Sequence, residues 1–126
     1  MKVCVSSSGK EKSSNVDFRF GRCSYFAIYD SENAEFKALE NAGIASAQGA
    51  GIAAAQQVVD EKVDAVITGN MGPNAMNLLK AAGIKIFGAA GGTVEGAIKL
   101  FQENKLESIE KPAPAHSGMG NQKRGW

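Results

Sequence analysis

The sequence predicts an α/β domain built on a mixed sheet, and three observations carry that expectation. Apolar residues at 3–5, 65–67 and 84–87 run nearly consecutively rather than alternating, as in strands covered on both faces. The second run passes through Gly69-Asn70-Met71-Gly72 into Pro73, a residue that suits the first turn of a helix because its missing N–H would be unpaired there anyway. Residues 35–40 (Glu-Phe-Lys-Ala-Leu-Glu) alternate, as the second strand of an antiparallel hairpin does.

With 126 residues, 44% of them hydrophobic, the chain can bury one core and leaves little for a second. Fourteen Lys and Arg against thirteen Asp and Glu leave a formal charge of +1, which argues against a general nucleic-acid binder. No apolar run approaches the roughly 20 residues of a membrane-spanning helix, and the N-terminal residues lack a signal-peptide core, so a soluble, cytoplasmic protein is expected. Cys4 and Cys23 are too few for a disulfide framework and match no zinc or ferredoxin spacing, so both are expected as reduced thiols.

Taken in order, residues 2–6 read as a buried strand, 6–17 as a polar, mobile loop, and 25–29 and 35–40 as a hairpin. A helix over 49–62 opens with Gly49 and Gly51, with Ile52, Ala55 and Val59 expected on its apolar side and Gln56, Gln57, Asp60 and Glu61 toward water. The strand at residue 65 leads into a helix carrying Ala75, Leu78, Leu79 and Ala82, closed by Gly83 at a C-cap position. After a strand over 84–87, Thr93 caps a last helix with Val94, Ala97, Ile98 and Phe101 on its apolar stripe. The periodic pattern stops at Leu106, giving a single domain over 1–106 and a flexible tail over 107–126.

If the hairpin is a meander and the later strands join by right-handed crossovers, strands one, four and five are parallel and strand two is opposed. Four connections, 6–22, 41–51, 69–74 and 88–93, then share the carboxyl edge, where ligands of open α/β sheets sit. Glycine turns, helix N-termini and the nearby Arg19 and Arg22 suit that edge to something anionic and bulky. Residues 10–22 carry four basic side chains (Lys10, Lys12, Arg19, Arg22) against Glu11 and Asp17, the expected basic patch.

Phe-Gly-Arg before a strand, Gly-Ala-Gly at a helix start, Gly-Pro-Asn-Ala after a strand, Ala-Gly-Ile-Lys-Ile and Thr-Val-Glu-Gly-Ala-Ile, in that order, resemble the dinitrogenase iron-molybdenum cofactor biosynthesis family. The resemblance covers residues 1–106. It implies a three-layer ribonuclease H-like fold with a five-stranded mixed sheet and helices on both faces. It also implies a non-catalytic binding or carrier role for an anionic metal-sulfur cluster: iron-molybdenum cofactor, a precursor or a related cluster. A cluster-donor or acceptor protein is then the expected partner, with no nucleic acid and no membrane.

Within that reading the cofactor-binding candidates are Arg19, Gly21, Arg22, Gly49, Gly51, Gly69, Asn70, Gly72 and Asn74. Cys23 is a candidate thiolate ligand if the arginines lower its pKa, against the ordinary role of a lone Cys at a strand start, which is core packing. His116 is a candidate metal ligand on the tail, where a lone His is commonly inert. A nuclease needs clustered carboxylates, and the first strand offers no acid; no Ser, His and acid arrangement is evident either. The alternative is a phosphate- or nucleotide-binding module, which helix N-termini suit equally, although the Lys-Ser or Lys-Thr ending of a phosphate loop is absent.

Overall fold

The computed structural model describes residues 1–45, 50–89 and 91–110. Strands β1 (Lys2–Ser7), β2 (Tyr25–Asp30), β3 (Glu35–Glu40), β4 (Ala65–Thr68), β5 (Lys85–Gly88) and β6 (Glu107–Ser108) form one 6-stranded sheet in the order β3-β2-β1-β4-β5-β6. The expected parallel set is present: β1 pairs parallel with β4 and β4 with β5, while β2 runs antiparallel to both β1 and β3. The sheet has six strands rather than the five expected. The sixth lies past Leu106, in the segment read as tail, and pairs antiparallel with β5 through Phe87↔Ser108 and Gly88↔Glu107. Two residues are too few for a hydrophobic period to register, and the strand exists because the edge of β5 offers unpaired N–H and C=O groups.

Alternation along β1 divides the core. Cys4 faces a cluster with Phe26, Ile28, Val66 and Ile86, closed by Ala54, Ala55 and Val58 of α1 (Ala50–Asp60) and Ala75, Met76 and Leu79 of α2 (Pro73–Ala81). Val3 and Val5 face the other way, with Ala27, Ala65 and Ile67, against Val94, Ala97 and Ile98 of α3 (Val94–Gln102). The layers are therefore α1 and α2, then the sheet, then α3. Small side chains at 54, 55 and 75 let the first two helices approach closely.

Helix signals read from the sequence are largely realised. Gly83 takes φ +80 just after α2, the left-handed conformation a Cβ disfavours, and the Thr93 side chain accepts from Gly96 N at 3.1 Å. The buried stripe of α1 differs from the expected one. Ala54, Ala55 and Val58 are buried, whereas Ile52 is 45% exposed, because at about 100° per residue position 52 falls off the face that 54, 55 and 58 share. Gln57 is half-buried, and beyond facing water it accepts from Ala42 N at 2.9 Å and donates to Glu40 O at 2.8 Å, fastening α1 to the end of β3. Leu78 of α2 is only partly buried, and Ala82, expected on the same helix, follows its last residue and is exposed.

The segment expected to be a mobile loop is instead stitched down by its main chain. Ser7 pairs with Val16 and Asn15 with Thr93, and Glu95 N donates to Lys12 O at 2.9 Å. Composition alone signals polarity, not the backbone partners that the end of β1 and the start of α3 supply, the first accepting from Asp17 N and the second donating to Lys12 O and Ser14 O. Among the described residues, no helix is long and apolar enough to cross a membrane.

The sixth strand yields a stability test. Ile109 packs against the α1/α2-side core and its N–H donates to Ile86 O at 2.8 Å. A chain ending at residue 106 should therefore be less stable than one ending at residue 110 by about 1–3 kcal/mol, read from denaturant melts of the two. Equal midpoints would show that β6 contributes nothing to folding.

Candidate functional site

Strands β1, β3, β4 and β5 all end at one edge, and two of the connections that leave it are joined by their main chains. Asn70 N donates to Phe18 O, Phe20 N donates to Asn70 O at 3.2 Å, and Arg19 and Asn70 form a parallel bridge. Gly69 is a consequence of this pairing. A Cβ there would lie 2.9 Å from the Phe18 Cα and closer still to its side chain, so only glycine lets the two strands of chain pass.

After the bridge the first segment turns through a short 3-10 helix, Phe20–Arg22, pinned from both sides. The Phe20 ring is buried and stands 5.2 Å from the Phe26 ring, centroid to centroid. Behind the turn sits Asn41, only 2% exposed. Its Nδ2 donates to Cys23 O at 2.8 Å and to Gly21 O at 3.2 Å, and its Oδ1 accepts from Gly43 N at 2.8 Å. One amide thus ties the Phe-Gly-Arg turn to the connection that leads toward α1.

These contacts shape a cleft of about 390 Å³, lined by Arg19, Phe20 and Gly21 on one wall, Gly51 and Ile52 on another, and residues 70–75 along its floor. The first turns of α1 and α2 both open onto it. Gly72 is the N-cap of α2 and Pro73 follows, so no capping side chain serves the N–H groups of Asn74 and Ala75. Gly72 itself is unconstrained: its φ of −73 is available to any residue, and a Cβ there would meet nothing within 4 Å. Nothing in the packing calls for glycine at 72; what its missing side chain does is leave the floor of the cleft open.

Of the residues singled out by sequence, the structure brings Arg19, Gly21, Gly51, Asn70, Gly72 and Asn74 together at this cleft. Gly69 lies just behind it, beneath Phe18. Arg22 is exposed and does not line the cleft. Gly49 and His116 lie outside the described residues. Cys23, the candidate thiolate ligand, is fully buried beside the α1/α2-side core, with Sγ 3.2 Å from Phe20 O. Burial pushes its thiol up to about 12, the reverse of the lowering that ligation by a pre-formed thiolate requires. Among the described residues, no group of three or more His, Cys, Asp and Glu is placed to hold a metal ion.

The basic patch is also dispersed. Lys10 stands over the Tyr25 ring at 5.8 Å and Lys12 over the Phe36 ring at 5.5 Å, the latter on the α3 side of the sheet. Arg19 remains at the cleft, but its guanidinium pairs with Asp17, Nε to Oδ1 at 3.3 Å and Nη2 to Oδ2 at 3.4 Å. Sequence reasoning missed the apolar lining: Phe20, Ile52, Met71, Pro73 and Ala75. Ile52 carried the available signal, a large aliphatic residue in a first turn otherwise made of alanine and glycine.

Residues 1–104 match the family model described as dinitrogenase iron-molybdenum cofactor. Among solved structures the chain is similar to the apo form of the orange protein from Desulfovibrio gigas, with TM-score 0.84 and 31% identity, covering 88% of this chain and 94% of that one. It is similar also to a NifB-like protein from Thermotoga, with TM-score 0.80 and 41% identity, covering 90% and 97% of the two chains. An uncharacterized protein from Methanocaldococcus jannaschii is 37% identical over 94 residues, 72% of this chain and 80% of the relative.

Two predictions follow from the site's construction. Gly69→Ala should cost about 1–3 kcal/mol because the Phe18 backbone must move, whereas Gly72→Ser should hold or slightly raise stability by supplying the missing cap; thermal melts separate them. The second concerns pH. Cys23 ionises near the ordinary value of 9.0 when unfolded and at about 12 when folded, so above pH 9 the unfolded state binds fewer protons and stability falls toward pH 12. Cys23→Ala should make that alkaline loss shallower.

Proposed function

Because the chain belongs to the dinitrogenase iron-molybdenum cofactor family, we propose that it binds and carries an anionic metal-sulfur cluster, iron-molybdenum cofactor, a precursor or a related cluster, in the cleft at the carboxyl edge. The observation that supports this reading most directly is the combination of an uncapped helix start with a glycine whose side-chain space is empty. The α2 N-terminus offers N–H donors and the positive end of a helix dipole, and Gly72 lets a bulky ligand reach them.

The lining favours sulfide over oxyanion chemistry. Phosphate is strongly hydrated and is held by several charge-assisted donors. This cleft offers Arg19 and the uncapped N–H groups of Asn74 and Ala75 beside Phe20, Ile52, Met71 and Pro73. A large, soft, sulfide-covered anion carries its charge diffusely, so it meets apolar walls at lower desolvation cost and takes weak donation from backbone N–H groups. The same openness suits a cargo that must be handed to an acceptor protein, since no side chain has to be displaced from the floor of the cleft.

Anaerobic titration with tetrathiomolybdate, followed by visible absorption, tests the site, with inorganic phosphate as the competing probe. The wild type should bind the thiomolybdate and release little of it to millimolar phosphate. Gly72→Val should abolish binding while leaving the fold intact. Arg19→Ala should weaken binding by about threefold to tenfold, and Arg22→Ala by less, because Arg22 does not line the cleft. Efficient displacement by phosphate would favour the phosphate-binding alternative, and unchanged affinity in both the Gly72 and Arg19 variants would place the site elsewhere.

A further inference from the structure

Among the described residues, Asp17 is the one acidic side chain bonded to the Arg19 guanidinium at the cleft, and its position is fixed from below. Asp17 N donates to Ser6 O at 2.9 Å, and the Ser6 hydroxyl donates to Asp17 O at 2.6 Å. That serine, at 0% exposure, also shares a hydroxyl hydrogen bond of 2.8 Å with Thr68, likewise 0% exposed. The carboxyl ends of β1 and β4 thereby anchor the Asp17 backbone. The carboxylate is committed as well: Oδ1 accepts from Arg19 N at 2.9 Å. Its side chain is 13% exposed, while that of Arg19 is 68% exposed. Of the two partners in the ion pair, the carboxylate is held and the guanidinium is free to swing.

We propose that Asp17 is a positioning residue that competes with the anionic cargo for Arg19 and so sets how tightly the cleft holds it. The inference rests on the cargo reading above. An anion arriving in the cleft meets an arginine already engaged by a resident carboxylate, and it must share or withdraw the guanidinium from Asp17. Binding is weakened by the strength of the resident pair, and release is assisted because Arg19 has a partner to return to. A carrier benefits from that arrangement, since its cargo has to leave.

The test is a double-mutant cycle on the full chain, titrated anaerobically with tetrathiomolybdate. Asp17→Asn keeps an Oδ1 acceptor for Arg19 N and nearly the same shape, so the fold should survive, as thermal melts will verify. The variant should bind roughly two- to fivefold more tightly, the range of a solvent-exposed ion pair, with the gain shrinking as salt is raised. In the Arg19→Ala background the same change should produce no gain. Tighter binding is a readout that a merely structural role for Asp17 would not give, because a disturbed loop weakens the site. Unchanged or weaker binding by Asp17→Asn overturns the inference, and so does a gain that persists without Arg19. A wild type that takes up no tetrathiomolybdate overturns the cargo reading and this inference together, whereas binding by the wild type with a flat cycle overturns this inference alone.

Discussion

The structure depends on the main-chain pairing between residues 18–20 and Asn70. It joins a segment that follows the first strand to one that follows the fourth, across the parallel β1/β4 pair at the centre of the sheet. A carboxyl edge without such a bridge would leave two connections ending in unpaired N–H and C=O groups, held only by the strands behind them. With it, the Phe-Gly-Arg turn and the start of α2 become two walls of one cleft. The glycine at 69 and the buried Ser6–Thr68 hydroxyl pair are both consequences: the first lets the chains approach, and the second satisfies polar groups trapped beneath the approach.

The cleft and the core make opposite use of small residues. In the core, Ala54, Ala55 and Ala75 bring α1 and α2 together, so their smallness is filled by the neighbouring helix. At Gly72 the smallness is not filled by any of the described residues. A serine there would complete the helix cap, and its absence gives up a stabilising contact at a helix start that opens onto the cleft. Stability left unclaimed at a defined position points to a role other than folding, and here it falls in the Gly-Pro-Asn-Ala segment on which the family resemblance partly rests.

Much of the candidate site was legible because its residues are backbone-determining types. Gly51, Gly72, Asn70 and Pro73 mark turns and helix starts, and placing those turns on one edge needs only strand order and handed crossovers. The electrostatic part was less legible. Counting charges along residues 10–22 gives a patch, but Lys10 and Lys12 settle over aromatic rings and Arg19 is paired with Asp17. Sequence proximity does not state which side of a sheet a side chain reaches. Cys23 shows the same limit: its neighbours in sequence are basic, yet the neighbours that govern its thiol are Phe20, Asn41 and the core around them.

What the sequence determined by itself is the order and kind of elements, the carboxyl edge as the place of connections, and the family. Those rest on local patterns: consecutive β-branched residues, glycine and proline punctuation, and capping residues, each of which acts within a few positions of itself. The tertiary structure decided which face each residue serves, that a sixth strand closes the sheet, that the loop before Phe18 is stitched down, and that an apolar floor lies under the amides. Those outcomes depend on partners distant in sequence. Residues 107–108 become a strand only because the edge of β5 is there to pair with, and Ile52 is a cleft residue only because the buried face of α1 is the one shared by Ala54, Ala55 and Val58, which leaves residue 52 beside the cleft.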